Sequence, residues 1–280
     1  MLLNNYSNFW NISGKLYPLD NLKIMAIINC NSDSFYAESR VNSDINTLKK
    51  VEQFINEGAN IIDIGGESTR PGAKAVSEDE ELARVIPIIK KIRTSFPEIL
   101  ISIDTYKSTV AEAAINAGAN IINDISFGMF DEAMFNTCSK LKVPYIGMHT
   151  SNFPEKMQQF TKYSDIVTEI IQYLDQRIST ARKAGIIDIT IDVGFGFGKT
   201  LEDNYKLLSR LKEFEILNCP ILLGVSRKSM IYKSLNTTPE NALNGTTVLH
   251  TIGILNGANI IRVHDVKEAN DVKLLLQLMK

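Results

Sequence analysis

The chain has 280 residues, is 44% hydrophobic and 22% charged, and carries a formal net charge of -2. That is enough apolar material for a core of ordinary globular type, and the near-neutral balance excludes a broad polyanion-binding surface, so no nucleic-acid partner is expected. No apolar run is long enough to cross a bilayer, the opening MLLNNYSNFW lacks the basic and apolar regions of a leader, and Cys30, Cys138 and Cys219 are too scattered for a metal cluster; a cytoplasmic protein without a membrane partner is the expectation.

Residues 1–20 stand before the first apolar run and are read as an N-terminal extension. Strands are then expected at 23–29, 60–64, 99–104, 120–124, 143–148, 187–192, 220–224 and 259–263. Helical patterns fall near 44–57, 78–94, 107–117, 130–141, 164–184, 201–213, 241–256 and 266–279. Strand and helix alternate throughout, which points to parallel βα units. Either an open doubly wound sheet or a closed barrel would satisfy that order. Even units with polar residues after nearly every strand favour a single (β/α)8 TIM barrel over residues 1–280, because such a barrel builds its site from the C-terminal ends of its strands.

A five-residue pattern recurs at Gly58–Ile62, Gly118–Ile122 and Gly257–Ile261, each time Gly-Ala-Asn-Ile-Ile. Glycine suits the left-handed end of a helix, and the paired isoleucines open a buried strand. Five positions after each glycine comes a polar residue: Asp63, Asn123 and Arg262.

The strand ends carry the chemistry. Asp104 closes the third strand, Asn123 follows the Ile pair of the fourth, and Asp192 closes the sixth. Two carboxylates beside an amide suit a flat heterocycle with an amino-amidine edge, since a carboxylate accepts two N–H bonds from it; helix capping is the alternative for either Asp alone. In 194-GFGFGKT-200, alternate glycines let backbone approach a ligand. The segment lacks the spacer of a P-loop, and Phe195 or Phe197 is expected to face the pocket. The turn 224-GVSRKSMI-231 sets Arg227 and Lys228 after the seventh strand, where barrels bind phosphate. Arg262 and His264 share parity on the eighth strand and form a candidate anion clamp with the Lys228 turn. The stretches 29–40 and 65–75 read as long mobile loops of the kind that serve a site.

Together 65-GGESTRPGA-73, 101-ISIDT-105, 121-IINDIS-126, 194-GFGFGK-199, 224-GVSRKSMI-231 and 261-IRVHDV-266 resemble the dihydropteroate synthase family, in its order and spacing, over about residues 23–267. The resemblance implies a transferase of folate biosynthesis. A dihydropterin carrying a methyl diphosphate is joined to 4-aminobenzoate, giving 7,8-dihydropteroate and diphosphate, in enzymes that sulfonamides target. It implies that Asp104, Asn123 and Asp192 hold the pterin, with Lys228 on its carbonyl side. Arg262 and His264 would bind the diphosphate, and Asn29 would ligate Mg2+ near it. Thr69 and Arg70 belong to the second loop; Pro71, Phe197 and Ser229 line the 4-aminobenzoate pocket; Met148 and Gly224 also meet substrate. Catalysis would rest on Asp104, Asp192, Lys228 and Arg262, and a homodimer is the implied assembly. A pterin-binding methyltransferase domain and a non-catalytic pterin-binding relative are the alternatives. The chain departs from the family pattern at Asn31 and Ser32, where Thr-Pro is usual, at Val193, where Pro is common, and at Thr150, where Met is commoner.

Overall fold

The computed structural model describes residues 9–30, 37–67, 76–151 and 162–279, with backbone alone over 37–44. Thr69, Arg70, Pro71, Asn31 and Ser32 lie outside the described residues. Eight parallel strands close into a barrel: β3 (Lys23–Asn29), β4 (Ile61–Gly65), β5 (Leu100–Asp104), β6 (Ile121–Asp124), β7 (Tyr145–Met148), β8 (Ile189–Asp192), β9 (Ile221–Leu223) and β10 (Ile260–Val263), with β10 returning to pair with β3. The helices are α1 (Ala37–Asn56), α2 (Glu78–Ser95), α3 (Ser108–Asn116), α4 (Met134–Leu141), α5 (Ile166–Lys183), α6 (Leu201–Ser209), α7 (Ser229–Tyr232), α8 (Leu243–Leu255) and α9 (Val266–Gln277). The (β/α)8 barrel read from the alternation is therefore the observed fold. Among the described residues, no helix is long and apolar enough to cross a membrane.

Three details differ from expectation. The first helix begins at Ala37 rather than near 44, so residues 37–40, read as loop, are helical. The sixth helical stretch breaks into α6 and a 3-10 segment, Leu211–Leu217. A short helix, α7, follows the Lys228 turn.

The extension before the barrel is a hairpin, β1 (Phe9–Ile12) with β2 (Lys15–Pro18). Its two-residue turn is Ser13-Gly14, with φ 52° and 85°. Positive φ at both positions is the turn geometry that matches strand twist. Trp10 of the hairpin and Leu19 just after it are buried against Met25, Ile61, Ile121, Ile146, Leu222 and Ile260. Trp10 also donates its indole N–H to Thr190 Oγ1 at 3.2 Å. The hairpin thus plugs the bottom of the barrel.

Side chains alternate along each strand. Ile24, Ala26, Ile28, Ile62, Ile64, Ile101, Ile103, Ile261 and Val263 face outward into the layer shared with the helices. The opposite parity begins at the plugged bottom and climbs two residues at a time: Ile61 to Asp63, Ile121 to Asn123, Ile146 to Met148, Thr190 to Asp192, Leu222 to Gly224, and Ile260 to Arg262.

The Gly-Ala-Asn-Ile-Ile repeat gains a structural reason. Gly58, Gly118 and Gly257 have φ of 105°, 117° and 99°, as a left-handed helix end requires. The asparagine after each then grips one residue of the preceding strand twice. Asn60 donates its backbone N–H to Ile24 O at 2.9 Å, and its Oδ1 accepts from Ile24 N at 3.0 Å. Asn120 does the same to Ile101 at 2.7 and 3.0 Å, and Asn259 to Ile221 at 2.9 and 2.9 Å. Each side chain completes a ladder rung where its strand has not yet begun, so the three asparagines clamp neighbouring strands at the barrel's lower rim.

Candidate active site

Asp104 and Asn123 are register partners across β5 and β6, and Met148 and Asp192 are partners across β7 and β8. All four are buried and end inward-facing series. Arg262 reaches over from β10. Its Nε donates to Asp63 Oδ2 at 2.6 Å and its Nη2 to Asp104 Oδ2 at 2.6 Å. Asn123 Nδ2 donates to Asp63 Oδ2 at 3.3 Å. The three polar residues that share an offset in the repeats therefore meet at one point, with the fully buried Asp63 as their hub. Asp63 was visible in the pattern but not recognised as a site residue, because an offset along the chain does not reveal that three strands converge. The cationic and anionic groups stand on different strand ends, yet Arg262 reaches across the mouth from β10 to lie against Asp104 of β5.

Burial pushes the Asp104 carboxyl upward, opposed by Arg262 and reinforced by Asp63. Burial likewise raises Asp192, against Lys228 and the Gly194 N–H, which donates to Asp192 Oδ1 at 2.8 Å. Lys228 is pulled down to about 8, chiefly by burial, with Asp192 opposing. Its Nζ donates to the Phe195 carbonyl at 2.7 Å and stands 4.9 Å from the centre of the Phe197 ring. A methyl group on Gly224 would touch both Asp192 Oδ2 and Lys228 Nζ at 3.6 Å, so glycine keeps the space beside them open.

The two phenylalanines of the Gly-rich loop divide. Phe195 is fully buried in the outer core, whereas Phe197 packs with Ile125, Met148 and Tyr106 as an apolar wall at the mouth. The basic pair divides too. Arg227, at φ 52°, turns away and binds both Asp265 oxygens at 2.8 Å and the Pro239 and Glu240 carbonyls. It ties the loop after β9 to the loop after β10 and is not part of an anion clamp. Ser229 is half-buried beside Lys228. His264, half-buried just beyond β10, has its backbone N–H on Ser226 Oγ at 3.2 Å. Asn29 is exposed at the end of β3, paired with Gly65, and its Oδ1 lies 3.8 Å from where a Gly65 side chain would begin. Val193 and Thr150, two of the departures, are buried.

Two buried groups gave little sequence signal. Lys199 Nζ lies 2.7 Å from Gly194 O, 3.2 Å from Phe197 O and 3.0 Å from His149 Nδ1. Burial lowers Lys199 to about 7, and burial with Lys199 beside it holds His149 well below its usual range, as a neutral acceptor. Lys107, just past β5, donates to Glu67 at 2.7 Å, Glu81 at 2.6 Å and the Val76 carbonyl at 2.8 Å.

A closed barrel with carboxylates, an amide, a lysine and an arginine converging at the C-terminal mouth is an enzyme-type ligand site, and residues 25–264 match the family of pterin binding enzymes. Dihydropteroate synthase from Escherichia coli K12 is 43% identical over 257 residues, covering 91% of this chain and 90% of the relative. A solved dihydropteroate synthase from Xanthomonas albilineans, in a structure with 4-aminobenzoic acid, superposes with a TM-score of 0.89 at 35% identity, covering 97% of this chain and 98% of that one. The Yersinia pestis dihydropteroate synthase, in a sulfonamide drug complex, gives 0.89 at 37% identity over 96% and 98%. The chain belongs to the dihydropteroate synthase family and is a transferase of folate synthesis.

Proposed function

We propose that the mouth of this barrel divides the dihydropteroate synthase reaction among its strand ends. Asp104, Asn123 and Asp192 take the amino-amidine edge of the pterin, and Lys228 faces its carbonyl. Arg262 and His264 receive the diphosphate. The wall of Phe197 and Met148, with Ser229 and residues 69–71, takes 4-aminobenzoate. The observation that carries this division is the double grip of Arg262 on Asp63 and Asp104. A pterin edge at Asp104 and a diphosphate at Arg262 each have to replace the Asp104–Arg262 pair, so the two halves of one substrate exchange for it together. Asp63 meanwhile keeps the guanidinium in place.

The bond from the pterin methylene carbon to the diphosphate oxygen breaks, and the electron pair leaves with the diphosphate. The arylamine nitrogen then bonds to that carbon and loses a proton. Buried carboxylates near the ring favour the positive charge that develops there, and Arg262 favours the departing anion. Positioning does more here than a strong base.

Asn29 fits a role in holding Mg2+, since its exposed amide oxygen is a hard donor at the rim. Magnesium commonly keeps one or two protein ligands and completes its shell with phosphate oxygens and water. Bound there, it would neutralise diphosphate charge.

We further read the assembly as a homodimer. Val248, Ile252 and Leu255 recur at helical spacing on an exposed face of α8, and Leu274 on α9 and Leu278 just past its end are exposed. Such a stripe suits a second copy of the same face. The compartment is read as cytoplasmic, supported by three cysteines that form no disulfide.

Diphosphate release is the test. Mixed with pterin diphosphate, 4-aminobenzoate and magnesium, the protein should release one diphosphate per dihydropteroate formed. Tight pterin binding without release would leave a non-catalytic pterin-binding protein.

A further inference from the structure

Lys199 has no part in the roles assigned above, yet its ammonium is enclosed in the loop that links two residues with such roles. The loop 194–198 contains three glycines at φ 73°, 83° and 66°. Backbone of that kind is costly to hold in one shape. Two fasteners hold it. Asn204 is one: its Oδ1 accepts from Gly196 N at 2.7 Å, and its amide donates to Thr200 O at 2.6 Å. Lys199 is the other. Its Nζ has four acceptors in reach: Gly194 O, Phe197 O and His149 Nδ1, with His149 O more distant at 3.5 Å. An ammonium has three hydrogens to give, so this cage uses all of them. The loop is pressed on the end of β7 as well, since a methyl on Gly194 would stand 1.9 Å from His149 O.

The carbonyls of the loop are shared between two lysines. Those of Gly194 and Phe197 turn to Lys199, and that of Phe195, between them, turns to Lys228 at 2.7 Å. The Phe197 ring lies 4.9 Å from the same Lys228 ammonium. Without Lys199, the Phe197 carbonyl loses its lysine donor and the Gly194 carbonyl keeps only the Phe197 N–H at 3.3 Å, so both are left to compete for the nearest cation. We propose that Lys199 is a positioning residue: by holding the Gly194 and Phe197 carbonyls, it fixes the Phe195 carbonyl and the Phe197 ring, and through them the place of the Lys228 ammonium at the pterin. The inference rests on the reading that Lys228 meets the pterin.

A double-mutant cycle tests it, with calorimetric titration of hydroxymethylpterin into wild type, Lys199→Met, Lys228→Met and the double variant. Lys228→Met should weaken binding about tenfold and Lys199→Met about threefold to tenfold. In the Lys228→Met background, Lys199→Met should add less than about twofold, because residues acting through one another are not additive. Effects that multiply in full overturn the inference while leaving the role of Lys228 standing. A Lys199→Met protein with a lowered melting temperature and wild-type pterin affinity also overturns it, since that is the mark of a purely structural lysine. Unchanged affinity in Lys228→Met overturns the role of Lys228 and the inference with it. If Lys199→Met does not give folded protein, Lys199→Gln takes its place in the cycle under the same criteria.

Discussion

The two ends of the barrel interior are made from the same eight strands, two residues apart along each. At the bottom, Ile61, Ile121, Ile146, Leu222 and Ile260 close on Trp10 of the hairpin, and the hydrogen bonding there is structural. One step up, the same strands present Asp63, Asn123, Met148, Gly224 and Arg262, where charges are buried against each other and carboxyls and lysines are driven from their usual ranges. The lower end spends its apolar surface on stability; the upper end keeps polar groups in a costly environment, where they can be exchanged for a ligand. Substitutions at the two ends should therefore differ in kind.

The largest effects should come from Trp10 and Arg262. Trp10→Ala removes the plug and should cost about 3–5 kcal/mol of stability, while the folded fraction keeps kcat/KM within about twofold because no mouth residue moves. Urea unfolding and steady-state rates on the same preparation check both halves, and a large fall in kcat/KM would break the division between the ends. Arg262→Met leaves Asp63 and Asp104 facing one another without their cation, which should cost about 3–5 kcal/mol. Unlike Trp10→Ala, it should also erase the preference for pterin diphosphate over the pterin alcohol in a binding assay.

The asparagine clamps come next. Asn60→Ala and Asn259→Ala each strip the side-chain acceptor from a strand N–H and should lower stability by about 1–3 kcal/mol. Asn120→Ala should cost most of the three, since Asn120 Oδ1 also accepts from Arg93 at 2.6 Å. Pterin affinity should be unchanged in all three, and a clamp variant that lost it would show that the lower rim reaches the site.

How much of this was legible in the sequence follows the same division. The barrel could be read because each strand is a short apolar run, and each helix carries a period that only an alternating fold accommodates. Asp104, Asn123, Asp192 and Arg262 could be placed because they end those runs. The hairpin was missed because its strands are four residues each and only one of them, with Trp10, has a strongly buried side chain. Its signal was Ser13-Gly14 between two alternating segments. The separate fates of Arg227 and Lys228 were not legible either, since neighbours in a turn point apart for reasons set by Asp265, a residue 38 positions on. Lys199 was hidden for a similar reason, because its partners include His149 at the end of another strand.

A smaller effect follows from the lysines at the mouth. Lys199 and Lys228 are lowered in the folded protein to about 7 and about 8, from 10.5. Above those values the unfolded chain holds protons that the native state does not. Their contribution thus makes stability rise with pH from about 7 toward 10.5, and the penalty is complete below 7. Urea midpoints at pH 7 and pH 9 should show a smaller gain for Lys199→Met than for wild type. An equal gain would mean that Lys199 keeps an ordinary affinity for its proton.

The most direct measurement for the upper end is a calorimetric titration of hydroxymethylpterin into Asp192→Ala. Asp192 ends an inward series and touches the Gly-rich loop through Gly194. If it holds the pterin edge, its loss leaves buried donors on the ligand unpaired and should weaken binding by about 1–3 kcal/mol, about fivefold to more than a hundredfold. Binding as tight as that of the wild type would contradict the assignment of the barrel mouth as the pterin site.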